Sequence, residues 1–174
     1  MPLYLVRHAH AVSEEENSQR PLSERGRAQV RTLAAWFRRN GLFTPSQVWH
    51  SPLARARETA ELLLIGLASE PALVETAGLR PEDDPQVIAS RLNALTSAIN
   101  VALVGHEPQL SALATLLIRG KPAAPIFELK KGAVLVLERT KNIHPKTGLP
   151  RWTACWHITP ELLQEKPAAA EMDL

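Results

Sequence analysis

A short apolar segment near the start of the chain ends in two polar residues, one whose side chain can bind anions and one whose side chain can act as a nucleophile. Residues 3–6 are apolar, and Arg7 and His8 follow them directly. An apolar run of this length is typical of a buried strand, and packing gives a buried strand no reason to end in arginine and histidine. Ligand sites of α/β folds lie at the carboxyl ends of parallel strands. We therefore predict that Arg7 and His8 belong to a site at the edge of a sheet.

Two further segments of the chain contain a histidine or an arginine at a position where it could join the same site. Residues 101–104 are the clearest apolar run of the chain, and His106 follows them after one glycine. Arg55 lies in the opening turns of a helix that we predict to begin with Ser51 as N-cap and Pro52 at its first position. Arginine side chains and the amides of helix N-termini both suit phosphate. The predicted phosphate site has four members: Arg7, His8, Arg55 and His106.

The elements that must position these residues alternate between strand and helix. Strands are predicted at residues 2–7, 48–49, 73–74, 101–104, 133–137 and 152–158. Helices are predicted at residues 24–40, 52–64, 86–95 and 108–119, with Val87 on the inner face of the third. This order predicts a three-layer α/β/α fold with a mostly parallel central sheet, and the last two strands predict an antiparallel C-terminal edge. Residues 11–22 are predicted to form a loop beside the site, and residues 140–150 a long hairpin turn.

Composition narrows the class of protein. The net charge of +2 over 174 residues is too small to indicate a nucleic-acid partner. Cys155 is the single cysteine, so an intrachain disulfide and a metal–thiolate cluster are excluded, and we place Cys155 in the core or on a sheet face. No apolar run approaches the roughly 18 residues of a membrane span. We expect one domain over residues 1–164, a flexible tail over 165–174, no membrane partner and a cytoplasmic protein.

Three segments, in this order, resemble the signature segments of the histidine phosphatase superfamily, which also contains the phosphoglycerate mutases. They are Leu5-Val6-Arg7-His8, Ser51-Pro52-Leu53-Ala54-Arg55-Ala56 with Thr59-Ala60 after it, and Val104-Gly105-His106. Residues 20–26 are similar to that family's turn into its first helix. The short chain, and Leu79-x-Pro81 followed by acidic residues, look most like the SixA-type phosphohistidine phosphatases. The resemblance implies the phosphoglycerate mutase-like fold.

The resemblance also implies roles for the four site residues. His8 is the implied nucleophile, which forms a phosphohistidine intermediate that water then hydrolyses. Arg7, Arg55 and His106 are the implied ligands of the phosphoryl oxygens. The chemistry of the residues agrees, because neighbouring arginines disfavour protonated His8, and a backbone carbonyl bonded to one ring nitrogen would fix the tautomer. Since these cations supply the positive charge, we expect no metal and no cofactor.

The expected substrate depends on the general acid. Many members of the family carry a Glu or Asp acid in an insertion that is short here. Glu75 is the nearest match by position, whereas Glu82, Asp83 and Asp84 look like surface or helix N-terminal charges. A P–N bond to imidazole needs such an acid less than an alkoxide does, because the leaving nitrogen picks up a proton easily. We therefore expect a phosphatase acting on phosphohistidine in a protein.

Other functions remain open at this point. The same nucleophile would serve a phosphatase of a small phosphoester metabolite, and the same cations would serve a phosphate-binding module without turnover. His8 and His10 form an H-x-H pair that could hold a metal in a hydrolase, but adjacent arginines repel a divalent cation, and we favour His10 as a loop residue. Arg57 is interpreted as solvated or salt-bridged. The basic loop 140–150 is interpreted as a solvated turn, with steering of an acidic partner as the alternative. A monomer is the default.

Overall fold

The computed structural model describes residues 1–95, 99–145 and 148–163. The strands are β1 (Pro2–Arg7), β2 (Gln47–His50), β3 (Ala72–Glu75), β4 (Val101–Gly105), β5 (Val134–Ile143) and β6 (Pro150–Ile158). The helices are α1 (Glu24–Asn40), α2 (Ala54–Leu64), α3 (Pro85–Ala94) and α4 (Gln109–Arg119), and a short 3₁₀ helix covers Pro160–Leu163. All the predicted strands and helices are present, in the predicted order.

The six strands form one sheet in the order β3-β2-β4-β1-β5-β6. β1 pairs in parallel with β4, β4 with β2, and β2 with β3. β5 is antiparallel to both β1 and β6. The predicted class, a mostly parallel α/β sheet with an antiparallel C-terminal edge, is confirmed. The carboxyl ends of β1, β2 and β4 meet at one edge of the sheet.

Alternating side chains of β1 divide the core into two halves. Leu3 and Leu5 face a cluster that includes Ile88 of α3 and Leu110 of α4. Tyr4 and Val6 face the other cluster, which contains the inner faces of α1 and α2. Successive side chains of a strand point to opposite faces, so a strand that is apolar throughout requires helices on both sides. This arrangement gives the three predicted layers and leaves β1 covered from both faces.

The structure corrects the predicted start of the second helix. α2 begins at Ala54, Leu53 occupies its N-cap position, and no side-chain hydrogen bond caps this helix. Ser51 is therefore not its N-cap. The reason lies in the sheet, because the Ser51 amide donates to the carbonyl of Val104 at 3.0 Å and so continues the ladder beyond β2. The Ser51 hydroxyl is thereby available to the site.

Two smaller predictions also change. Val87 is 46% exposed instead of facing inward, because Asp84 caps α3 and the phase of the helix turns Ile88, Ala89 and Leu92 to the core. The predicted hairpin turn 140–150 is shorter, since β5 continues to Ile143 and β6 begins at Pro150. Within this connection residues 146 and 147, and further on the predicted tail 165–174, lie outside the described residues.

Two remaining observations concern the surface. Cys155 is an exposed residue of β6, which agrees with the sheet-face interpretation and not with a core position. In the described parts of the chain, no helix combines the length and the apolar character needed to cross a membrane.

Candidate active site

The strand ends predicted to meet do meet, and backbone hydrogen bonds fix them. The amide of His8 donates to the carbonyl of Gly105 at the end of β4, at 3.0 Å. On the other side of β1, the amide of Arg7 donates to the carbonyl of Ala133, also at 3.0 Å. The amide of Gly132 lies 3.1 Å from the carbonyls of both Arg7 and His8. The end of β1 is therefore held from both neighbouring strands.

The imidazole of His8 is fixed in one tautomer. Its Nδ1 lies 2.7 Å from the carbonyl oxygen of Ala9. A carbonyl can only accept, so Nδ1 carries the proton and Nε2 presents a lone pair. The side chain is 7% exposed. Burial, together with the charges of Arg55, Arg7 and Lys131, lowers the pKa of His8 to about 3, against the opposite effect of the carbonyl bond. The ring of His8 is thus neutral at ordinary pH.

A buried threonine ties the loop after His8 to the first turns of α2. The amide of Ala9 donates to Oγ1 of Thr59 at 3.1 Å, and that hydroxyl donates to the carbonyl of Arg55 at 2.7 Å. The backbone of Arg55 is therefore tied to the residue that follows His8. Burial and the charge of Arg20 lower the pKa of Arg55, while Glu82 raises it.

Arg7 is held by one edge of its guanidinium. Its Nη1 donates to the carbonyl of Leu129 at 2.6 Å. Its Nε is buried and has no hydrogen-bond partner among the described residues. A buried donor without an acceptor is costly, and here it belongs to a fork whose geometry suits phosphate oxygens. The free edge of Arg7 is therefore a candidate anion contact.

His106 lies beside His8, with its ring centroid 4.8 Å from that of His8. Its Nε2 lies 2.9 Å from the hydroxyl of Ser51, whereas its buried Nδ1 has no partner in the described structure. Burial lowers the pKa of His106 to about 3, with smaller contributions in the same direction from the neighbouring His8, Arg55 and Arg7. His106 is therefore neutral, and Ser51 determines how its ring is held.

The four predicted acids differ in how they relate to this cluster. Glu75 is exposed at the end of β3. The carboxylate of Asp83 accepts from the amides of Gly78 and Arg80, at 3.1 and 2.8 Å. Asp84 accepts from the amide of Gln86 as the N-cap of α3. Glu82 is exposed and acts on Arg55 through its charge. Asp83 and Asp84 thus hold backbone at the start of α3.

Two residues considered in the alternative interpretations have other contacts. Nδ1 of His10 lies 2.8 Å from the hydroxyl of Ser23, the N-cap of α1, and the amide of His10 donates to Gln29. Arg57 pairs with Glu61 one turn along α2, at 3.8 Å. These contacts agree with a loop role for His10 and a salt-bridged role for Arg57.

Sequence reasoning missed three features of the site. Lys131 lies close enough for its charge to act on His8 and His10. Ser51 contacts His106. Glu107 is half-buried beside Arg7, and burial raises its pKa while Ser111 and Arg7 lower it. For Lys131 a signal existed, since a Lys-Lys-Gly segment directly precedes the strand that neighbours β1.

Comparisons with known proteins agree with this geometry. Residues 3–82 match the model of the histidine phosphatase superfamily (branch 1). An uncharacterized protein of Picosynechococcus sp. (strain ATCC 27264 / PCC 7002 / PR-6) is 29% identical over 165 residues, which cover 87% of this chain and 98% of that protein.

Solved structures share the fold over most of the chain. The protein histidine phosphatase SixA complexed with tungstate has a TM-score of 0.79 at 24% identity, with 94% of this chain and 100% of SixA covered. A mycobacterial glucosyl-3-phosphoglycerate phosphatase has a TM-score of 0.64 at 18% identity, with 89% and 98% covered. The α-ribazole phosphatase of Shigella flexneri has a TM-score of 0.61 at 20% identity, with 87% and 95% covered. The resemblance seen in the sequence is therefore confirmed: residues 3–82 match the histidine phosphatase superfamily model, and the chain shares the fold of SixA.

Proposed function

We propose that this protein is a metal-independent phosphatase that transfers a phosphoryl group to Nε2 of His8 and then to water. The observation that carries the proposal is the tautomer of His8. A carbonyl holds the proton on Nδ1, burial keeps the ring neutral, and the remaining nitrogen has a free lone pair beside two guanidinium groups. That is the state a nitrogen nucleophile needs.

The first step forms a P–N bond at His8 and breaks the bond from phosphorus to the leaving group. The charge that spreads over the three phosphoryl oxygens is met by Arg7, Arg55 and His106. Arg7 Nε and His106 Nδ1, both unpartnered among the described residues, are suited to donate to these oxygens. In the second step water attacks phosphorus, the P–N bond breaks with its electron pair returning to Nε2, and the proton of the water passes to solvent, which releases inorganic phosphate and neutral His8.

The finer proposal is that the phosphoryl donor is phosphohistidine in a protein. Its support is the placement of three of the four predicted acids, since Asp83 and Asp84 hold the backbone and Glu75 is exposed on β3. The fourth, Glu82, is exposed and acts on Arg55 through its charge. An imidazole leaving group takes up a proton readily, so it depends on a dedicated acid less than an alkoxide does. The similarity in fold to SixA agrees with this substrate.

A second candidate, hydrolysis of a small phosphoester, is favoured by Glu107. This carboxyl follows His106, lies beside Arg7 and has its pKa raised by burial, and its Oε1 is buried without a hydrogen-bond partner in the described residues. A carboxyl with a raised pKa can act as a general acid. Relatives in fold include phosphatases named for α-ribazole phosphate and glucosyl-3-phosphoglycerate.

The test is covalent labelling followed by a substrate panel. A labelled phosphodonor should give an acid-labile phosphoenzyme in the wild type, and His8→Gln should abolish it. His10→Gln is the matched control, because it removes a histidine from the same loop and should retain the label. Label that survives His8→Gln, or a wild type that takes none, would contradict the mechanism. Faster turnover of a small phosphoester than of a phosphohistidine protein, lost in Glu107→Gln, would favour the second candidate.

A further inference from the structure

We infer that Arg20, Arg25 and Lys131 form a cationic rim around the candidate active site, and that this rim binds acidic side chains next to the phosphorylated residue of a protein substrate. The inference rests on the proposed phosphatase function and specifies its substrate: a phosphoprotein with an acidic surface at the phosphorylation site. The rim is defined by these three residues. Each belongs to a segment whose backbone is fixed close to His8.

Lys131 has the closest tie to the nucleophile. It precedes Gly132, whose amide lies 3.1 Å from the carbonyls of both Arg7 and His8. Lys131 is partly exposed, whereas Lys130, which precedes it, is exposed. Lys131 is the lysine that acts on the site, since its charge lowers the pKa of His8 and of His10.

The other two rim residues lie on a different segment from Lys131. Arg20 belongs to the loop after β1, and Arg25 belongs to the first turn of α1. Arg20 has a φ of 48°, an uncommon conformation for a residue other than glycine, and its Nε donates to the carbonyl of Val12 at 3.3 Å. Arg25 follows the N-cap Ser23, whose amide donates to the carbonyl of His10. An arginine in a first helical turn opposes the helix dipole, so helix stability does not explain Arg25.

Lys131 is close to the other two rim cations and to the arginines of the site. Arg7, Arg20, Arg25 and Arg55 all lower the pKa of Lys131 through their charge, after the larger effect of burial. In the described chain, none of these five groups has a carboxylate within 4.0 Å, whereas Arg31 and Arg57 each have one and Arg27 has two. The acids that act at longer range are Glu107 on Arg7, Glu82 on Arg55 and Glu16 on His10.

The number of positive charges exceeds what one phosphoryl group needs. A phosphoryl group carries a charge of about −1.5 to −2 near neutral pH, which Arg7 and Arg55 balance, and the two histidines are neutral. The three rim cations are then not neutralised by the phosphoryl group of the substrate. Their mutual repulsion costs stability unless a second anion is bound. Because they sit on two separate segments and reach the exposed Arg25, carboxylates spread over a protein surface match them better than one compact metabolite.

The experiment measures binding, so it does not depend on turnover. Two peptides carry the same non-hydrolysable phosphohistidine analogue, one flanked by Asp and Glu and the other by Asn and Gln. At low ionic strength the acidic peptide should bind the wild type about tenfold more tightly, since a partly exposed ion pair contributes up to about fivefold. Lys131→Ala should lower this ratio to about threefold or less, and Arg25→Gln should lower it as well. Lys130→Ala is the matched control and should keep the tenfold ratio.

Salt provides a second readout, because exposed charge pairs weaken as ionic strength rises. The preference for the acidic peptide should fall with added salt in the wild type and much less in Lys131→Ala. A wild-type ratio near one, an acidic peptide that does not bind, or a ratio that survives Lys131→Ala and Arg25→Gln would overturn the inference. Equal losses for both peptides in Lys131→Ala would also overturn it, because that lysine would then bind the phosphoryl group. Failure of the phosphatase proposal is seen separately, in the labelling of His8.

Discussion

Replacing Ser51 with alanine tests how the second histidine of the site is oriented. The Ser51 hydroxyl lies 2.9 Å from Nε2 of His106, and the two residues are 0% and 1% exposed. The amide of Leu53 donates to the same oxygen at 3.4 Å, which leaves the hydroxyl proton free to go to Nε2. A proton donated there places the ring proton on Nδ1, the nitrogen that has no partner in the described structure. In that tautomer Nδ1 can donate to a phosphoryl oxygen.

The expected effect of Ser51→Ala has two parts. The buried Nε2 loses its partner, which should lower the free energy of unfolding by about 1–3 kcal/mol. The ring stays in place but its two tautomers mix, so part of the population cannot donate to the phosphoryl group. Loss of a whole donor of this kind costs about 10²–10³-fold in kcat. We therefore expect a smaller loss in Ser51→Ala, about 10- to 100-fold.

The assay combines kinetics, urea unfolding and ¹⁵N spectra of the His106 ring, which distinguish the tautomers. Thr115→Val is the matched control, because Thr115 is a 0% exposed hydroxyl residue whose Oγ1 donates to the carbonyl of Ser111 and accepts from the amide of Ile126, with neither bond to a histidine of the site. It should lose comparable stability and retain activity. Equal activity losses in Ser51→Ala and Thr115→Val, or an unchanged tautomer of His106 in Ser51→Ala, would refute this reasoning.

Three further outcomes are expected. The pKa values of about 3 for His8 and His106 mean that NMR titration should find both rings neutral from pH 8 to pH 5. The free energy of unfolding should fall as the pH drops from about 6.5 towards 3, because the unfolded chain binds protons that the folded chain does not. Titration midpoints near 6.5 for the two rings would contradict this prediction. Gly26→Ala should cost about 2 kcal/mol in urea unfolding, since a Cβ there would lie 1.9 Å from the carbonyl oxygen of His10; a neutral effect would show that α1 can shift. Asp84→Ala should cost about 1 kcal/mol through the lost cap of α3 and leave kcat/KM unchanged, and a large loss of activity would make Asp84 a candidate acid again.

The strand ends were the predictable part of the site. Two apolar runs end abruptly, one in Arg7-His8 and the other in Gly105-His106. The sequence predicts that these ends lie together, because parallel strands place their carboxyl ends at one edge of the sheet. The pairing of Arg7 with Gly105 across β1 and β4 follows this rule. The sequence also led us to expect that a backbone carbonyl, bonded to one ring nitrogen of His8, would fix its tautomer. It did not identify this carbonyl as that of Ala9.

Contacts between segments distant in the chain were not predictable. Ser51 followed by proline is typical of a helix start, yet the ladder bond from its amide to Val104 moves the start of α2 to Ala54 and turns the hydroxyl to His106. Lys131 gave a weak signal, because a lysine before a strand is ordinary, and its place beside His8 depends on the pairing of β1 with β5. Local propensity carries no information about which strands become neighbours.

The double anchoring of β1 has a consequence for how the molecule opens. The amides of Arg7 and His8 are bonded to Ala133 and Gly105 on opposite sides, so hydrogen exchange at these amides should require rupture of the central sheet and report the global unfolding free energy. Residues 13–19 are exposed and join the sheet only through their flanks, so their amides should exchange by local opening. The loop that precedes Arg20 can then fluctuate and adapt to a bound surface while the atoms that carry out the chemistry keep their positions.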